Sequence, residues 1–112
     1  MNKQIMIRQG DVALVARPHL SGVIPGAKKT PVDPAHPGKV VLAYGEVTGH
    51  CHAVNSENAQ LLETEDGRRF LKLVAPEVLT HDEHAPITIP AGTYECIIQS
   101  EYHPAAIRNV LD

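Results

Sequence analysis

The sequence predicts a mainly β single domain, a small β-barrel or double-sheet jelly roll carrying a short C-terminal helix. Three observations lead there. Short apolar stretches recur along the whole chain, each bounded by Gly, Pro or Asp. One of the boundaries, Asp66-Gly67, sits between two such stretches, which is the strongest short-range signal for a β-hairpin. Helical spacing of apolar residues occurs only at the end, where Ile107, Val110 and Leu111 share a face behind Pro104, a residue suited to a first helical turn.

Taken in order, Ile5 to Arg8 and Asp11 to Arg17 read as strands flanking Gly10. Residues 18 to 38 hold five prolines and three glycines. Proline fixes φ and lacks the amide donor, so this stretch is expected to be irregular, either an arm packed on the surface or a lid over a ligand. Lys39 to Tyr44 carries the buried-type run Val40-Val41-Leu42-Ala43. His50 to Val54 is the next strand. Ala59 to Thr64 and Arg68 to Ala75 are the arms of the Asp66-Gly67 hairpin, with Leu71, Leu73 and Ala75 toward the core and Phe70 and Lys72 on the other face. Pro86 to Ile89 and Thr93 to Tyr102 are expected to form a second hairpin turned at Pro90-Ala91-Gly92. The helix covers residues 104–111.

Composition narrows the function. The chain has 112 residues, enough for one modest core, and its 43% hydrophobic content argues against disorder. A net charge of -3, two short basic pairs (Lys28-Lys29 and Arg68-Arg69), one Phe and no Trp supply neither the electrostatic stripe nor the stacking platform of a nucleic-acid binder. No apolar run approaches the roughly 20 residues of a membrane span, and residues 1–8 do not make a signal peptide. Two cysteines, Cys51 and Cys96, are too few for a disulfide framework, so a reduced cytoplasmic protein is expected. The chain lacks Gly-x-Ser-x-Gly, a phosphate loop and the dinucleotide glycine pattern.

The chemistry is concentrated in histidine. His50-Cys51-His52 follows the turn-like segment Tyr44-Gly45-Glu46-Val47-Thr48-Gly49. On a strand His50 and His52 face one way, about 7 Å apart, and Cys51 faces the other, so Cys51 is expected in the core rather than as a thiolate ligand or nucleophile. Cys96 is also expected in the core. The loop Thr80-His81-Asp82-Glu83-His84 adds two imidazoles three positions apart, a spacing that brings both rings to one side of a turn. His103 follows between the last strand and the helix. Neutral imidazole suits Zn, Fe or Ni, and three or four nitrogen and oxygen donors complete a site. The candidate ligands are therefore His50, His52, His81, His84 and His103, with Glu57 or Glu95 as a carboxylate ligand or a partner that orients an imidazole. His19 and His36, in the Pro-rich stretch, are expected to be solvated. Without metal the same histidines form a polar rim or a protonation switch near pH 6.

These motifs resemble those of the cupins. Gly45, four residues, His50-Cys51-His52, four residues and Glu57 follow the first cupin motif, and Pro90-Ala91-Gly92 matches the Pro-x-Gly of the second. Where that second motif has its histidine and asparagine, this chain has Glu95 and Gln99. The resemblance implies a jelly roll with a metal held by His50 and His52, and with Glu95, or His81 and His84, replacing the missing ligand. A weaker likeness to the co-chaperonin barrel runs through Ile7-Arg8, Val12 to Arg17, Gly22-Val23-Ile24 and Gly38 to Gly45. It implies an arm that docks on a partner ring. The chain also looks like small bacterial and phage proteins with Gly-Glu-Val-Thr-Gly-His-x-His, a likeness that implies no function.

The sequence therefore supports a histidine-rich protein holding one divalent metal, with binding, sensing and cupin-like catalysis all open; no separate general base stands out, and Glu46 and Glu83 are candidates. The competing reading is a structural or assembly protein whose Pro-rich arm makes homo-oligomers. Expected partners are further copies of the chain and a small-molecule ligand, not nucleic acid or membrane.

Overall fold

The chain is described from a computed structural model, over residues 6–20, 22, 24–45 and 50–98. The expected helix, His103, Glu46, Gln99 and Val23 lie outside the described residues.

Among the described residues ten strands form, all paired antiparallel: β1 (Met6–Gln9), β2 (Val12–Ala16), β3 (Lys28–Lys29), β4 (Lys39–Tyr44), β5 (Cys51–Asn55), β6 (Ala59–Glu63), β7 (Arg69–Leu73), β8 (Glu77–Leu79), β9 (Ile87–Ile89) and β10 (Gly92–Ile98). Short 3-10 turns occupy Pro18–Leu20 and Ser56–Asn58. Six strands make one sheet in the order β1-β2-β10-β7-β6-β3. The pairs β4-β5 and β8-β9 make the second layer, joined by a bridge in which Ala53 and Thr80 exchange backbone hydrogen bonds of 3.0 and 2.9 Å. The domain is mainly β, in the manner of a small barrel or jelly roll.

The core lies between the layers. Val12, Leu14, Leu61, Leu71, Leu73, Tyr94 and Cys96 from the large sheet meet Leu42, Val54, Leu79 and Ile89 from the small one. Period-two alternation decides which residues go inside. Leu71 and Leu73 face this core as the sequence predicts. Phe70 faces away, yet it is only 1% exposed. The Pro-rich stretch explains why. Ile24 is buried with Phe70, Ala13 and Val15, and Lys72 Nζ donates to the Gly22 carbonyl at 2.7 Å, so the arm lies on the outer face of the sheet. The sheet is thus covered on both faces, and β2 is buried at four successive positions.

The Asp66-Gly67 hairpin forms, with Gly67 at φ +88° and β6 paired to β7 from Ala59↔Leu73 to Glu63↔Arg69. The second expected hairpin does not. β9 pairs with β8, whereas β10 pairs with β2 and β7. Pro90-Ala91 is a corner between layers, and Tyr94 Oη pins it by donating to the Pro90 carbonyl at 2.8 Å. A proline with no amide to donate and Gly92 at φ +150° suit a chain that changes sheets better than a tight two-strand turn. The Pro-rich stretch is also more regular than expected, holding the first 3-10 turn and β3. β8 follows Pro76 directly and is too short to carry a readable alternation.

Candidate functional site: a histidine cluster floored by Gln9

Four of the predicted histidines come together where the β1–β2 turn, the start of β5 and the loop after β8 meet. The rings of His52 and His81 lie 4.2 Å apart between centroids, those of His81 and His84 4.7 Å, His52 and His84 5.8 Å, and His50 and His81 5.9 Å. His50 and His52 both reach His81, as alternation on a strand requires, and the spacing of His81 and His84 brings their rings together in a bend. Burial is graded. His52 is 2% exposed, His50 and His81 are half-buried, and His84 is exposed at the rim.

The register of the small layer sets the depth of His52. β4 and β5 shift by one residue between Val41 and Ala43, so Leu42 is the extra residue of a bulge. Leu42 turns inward and is fully buried, while Ala43 pairs with His52. On the facing side, Gly10 makes the two-residue β1–β2 turn at φ +58°. A Cβ there would lie 2.8 Å from His84 Nε2 and 3.2 Å from His52 Cε1, so the glycine gives the rings their space.

Gln9 forms the floor. It is 3% exposed, and its amide nitrogen donates to the Leu79 carbonyl at 3.0 Å and the Ala85 carbonyl at 2.9 Å. Both amide protons are committed to carbonyls, so the orientation of the amide is determined by its partners rather than by choice. Its oxygen then faces His52 Nδ1 at 2.7 Å. An oxygen can only accept, so Nδ1 carries the proton and Nε2 of neutral His52 carries a lone pair. That Nε2 lies 3.5 Å from Asp11 Oδ1 at the mouth of the site. Burial, then the positive charge His81 and His84 would bring, lowers the His52 pKa, and Asp11 opposes the shift. These effects favour the neutral form of His52, in which Nδ1 donates to Gln9 and Nε2 keeps its lone pair.

His81 is set differently. Its Nδ1 accepts the Glu83 amide N–H at 3.0 Å, which leaves the proton of its neutral ring on Nε2. Glu83 Oε2 is 3.7 Å from His50 Nδ1. Among the described residues, no three His, Cys, Asp or Glu side chains yet converge as metal ligands.

Two predicted ligands belong elsewhere. Glu95 is on the outer face of the large sheet, 3.0 Å from both Arg17 Nη2 and Arg68 Nη2, and those guanidiniums, Arg68 foremost, hold its carboxyl below the usual range. The reason is parity: Tyr94 and Cys96 point into the core, so Glu95 cannot. Glu57 is exposed on the 3-10 turn beyond the other end of β5. Cys51 is half-buried and Cys96 buried, and burial raises both thiols, so neither is poised as a thiolate. His19 is exposed as expected, but His36 is not merely solvated: its Nδ1 is 3.0 Å from Asp33 Oδ2. Sequence reasoning missed Gln9, Gly10 and Asp11. One signal was present. Gln9 shares its strand face with Ile7, and a polar residue at an inward position just before a Gly-Asp turn asks for a buried partner.

No described helix is long and apolar enough to cross a membrane. No curated protein and no solved structure matches the chain. One family model matches residues 8–99, from the β1 strand that ends in Gln9 to just past β10, and by that match the chain belongs to the family described as a domain of unknown function, DUF8820.

Proposed function

We propose that this domain binds one divalent metal ion, Zn, Fe or Ni, through His52 Nε2, His81 and His84, with Asp11 as the carboxylate donor and His50 beside them. The observation that carries this reading is the amide of Gln9, which holds the proton of a buried histidine on Nδ1 and leaves the Nε2 lone pair aimed at Asp11. A hydrogen bond to the far nitrogen is the usual means of orienting a metal-binding imidazole. Three imidazoles and one carboxylate are a donor set suited to these metals.

The exposed rim at His84 and Asp11 gives an open side, which favours a site that keeps a position for water or a small oxygen ligand over a sealed structural one. Glu83 is the nearest carboxylate not in the donor set and stands beside His50. Binding requires His81 to release the Glu83 amide and turn.

The test is titration of untagged protein with zinc and nickel by calorimetry, with 1H–15N spectra of the same samples. One ion per chain is expected, with a large shift of the Glu83 amide, and His52→Ala and His84→Ala should each weaken binding at least about 100-fold. Failure of the parent to bind, or undiminished binding by folded His52→Ala, would sink the reading. Size in solution with and without chelator then checks the homo-oligomer: a metal shared between chains would dissociate them on chelation.

A further inference from the structure

We propose a second, separate site: the cleft between the two sheet edges takes a small carboxylate-bearing molecule with an apolar body. β3 and β4 each have one paired neighbour, so the edges of the two layers face each other across a seam that the barrel does not close. A cleft of about 410 Å³ lies there, within the range of small-molecule sites. Val41 and Leu61 are among its apolar lining, and its charged lining residues are three basic ones, Lys29, Lys39 and Arg69, and one acidic one, Asp33.

Asp33 is already engaged. It accepts from Tyr44 Oη and the Ala35 amide and pairs with His36, and with Tyr44 the strongest cause its pKa falls to about 2. These bonds fix the arm from residue 30 to Gly38 as one wall, since Gly38 also accepts the Ser56 amide at 2.9 Å. The formal charge of the lining residues is net positive, three basic residues to one acidic, which favours an anion.

Thr30 points to the same conclusion independently. Its amide donates to the Leu61 carbonyl at 2.8 Å, extending the β3–β6 ladder into the cleft wall. Among the described residues its Oγ1 is buried with no hydrogen-bond partner. A buried hydroxyl left unmatched is destabilising, so such a group on a residue that lines a cleft marks a place where an incoming oxygen would be matched. Arg69 donates from Nη2 to the Leu42 carbonyl at 2.6 Å, which holds the guanidinium across the seam while leaving other N–H groups free for a carboxylate.

The test uses hexanoate and hexylammonium as paired probes, titrated into the full-length protein and read by 1H–15N spectra. Hexanoate should move the amides of residues 29–33 and 39–44 saturably, and hexylammonium should not. Lys29→Ala/Lys39→Ala should weaken hexanoate about tenfold, and Thr30→Val, which keeps the shape and removes the hydroxyl, about fivefold. Unchanged dispersion of the spectra shows that both variants are folded. Equal response to the two probes, shifts scattered outside the cleft, no saturable shift, or insensitivity to the substitutions in a folded variant would each overturn the proposal.

Discussion

Two polar clusters sit on opposite faces of the large sheet, and they are built on opposite principles. On the outer face Glu95 is closed by Arg17 and Arg68, with Arg68 also stacked 5.1 Å over the Phe70 ring. Two guanidiniums share that one carboxylate, and both of its oxygens are taken up by them. At the mouth of the core, the imidazoles of His52, His81 and His84 lie side by side, and His52 faces the half-exposed carboxylate of Asp11. A saturated cluster is a fastener. A cluster of like groups is stable only while mostly neutral, and under the proposed function a cation would complete it. The same residue types that a motif search pools together, Glu95 and His52, therefore belong to different devices.

The contrast can be broken at its strongest point by removing the floor of the histidine cluster. Gln9→Leu removes the partner of the buried Leu79 carbonyl, of the part-buried Ala85 carbonyl and of His52 Nδ1, and should lower the unfolding free energy by about 2–4 kcal/mol, read as a fall in urea midpoint at constant slope. Loss below about 0.5 kcal/mol would mean that water replaces the amide and that it does not fix the tautomer. Gly10→Ala comes next. A side chain at φ +58° pressed on His84 should cost about 1–3 kcal/mol by the same measurement and weaken zinc binding as His84 is displaced.

On the saturated side, Glu95→Gln should cost only about 1 kcal/mol, because the guanidiniums around it are partly exposed. Zinc affinity should be unchanged, and a loss would return Glu95 to the ligand set. The folded pKa of Glu95 lies below its usual value of 4.5, so the unfolded chain binds the proton first. Its contribution is complete above pH 4.5 and lost as pH falls through the folded pKa, and Glu95→Gln should flatten that acid limb. His52 gives the smallest effect and acts at higher pH. Its folded pKa is also lowered, from 6.5, so stability is full above pH 6.5 and declines as pH falls toward the folded value. His52→Asn should remove that part of the slope near pH 6, and a slope unaltered by the change would mean that the ring is not held neutral.

Much of the domain was legible from local pattern. Alternation placed Leu71 and Leu73 inward, Asp66-Gly67 marked its hairpin, and His-x-His on a strand correctly put two imidazoles on one side, because these are consequences of backbone geometry that a few consecutive residues express. The spacing of His81 and His84 belongs with them. What local pattern could not carry was partnership between distant segments. It paired β9 with β10 because they are neighbours in sequence, although burial sends them to different layers. It left Phe70 on an open face, although the arm covers it from 50 residues away. It offered Glu57 and Glu95 as ligands because their distance along the chain fits a motif, while strand parity and a remote pair of arginines decide where Glu95 points. And it passed over Gln9, whose role exists only once Leu79, Ala85 and His52 are brought to it across 70, 76 and 43 positions of chain. The sequence by itself determined the longer strands, the faces of those with clear alternation, and the histidine supply. The tertiary structure alone decided which donors meet and in which protonation state, because a hydrogen bond between side chains depends on where the fold closes its loops and not on where the residues stand in line.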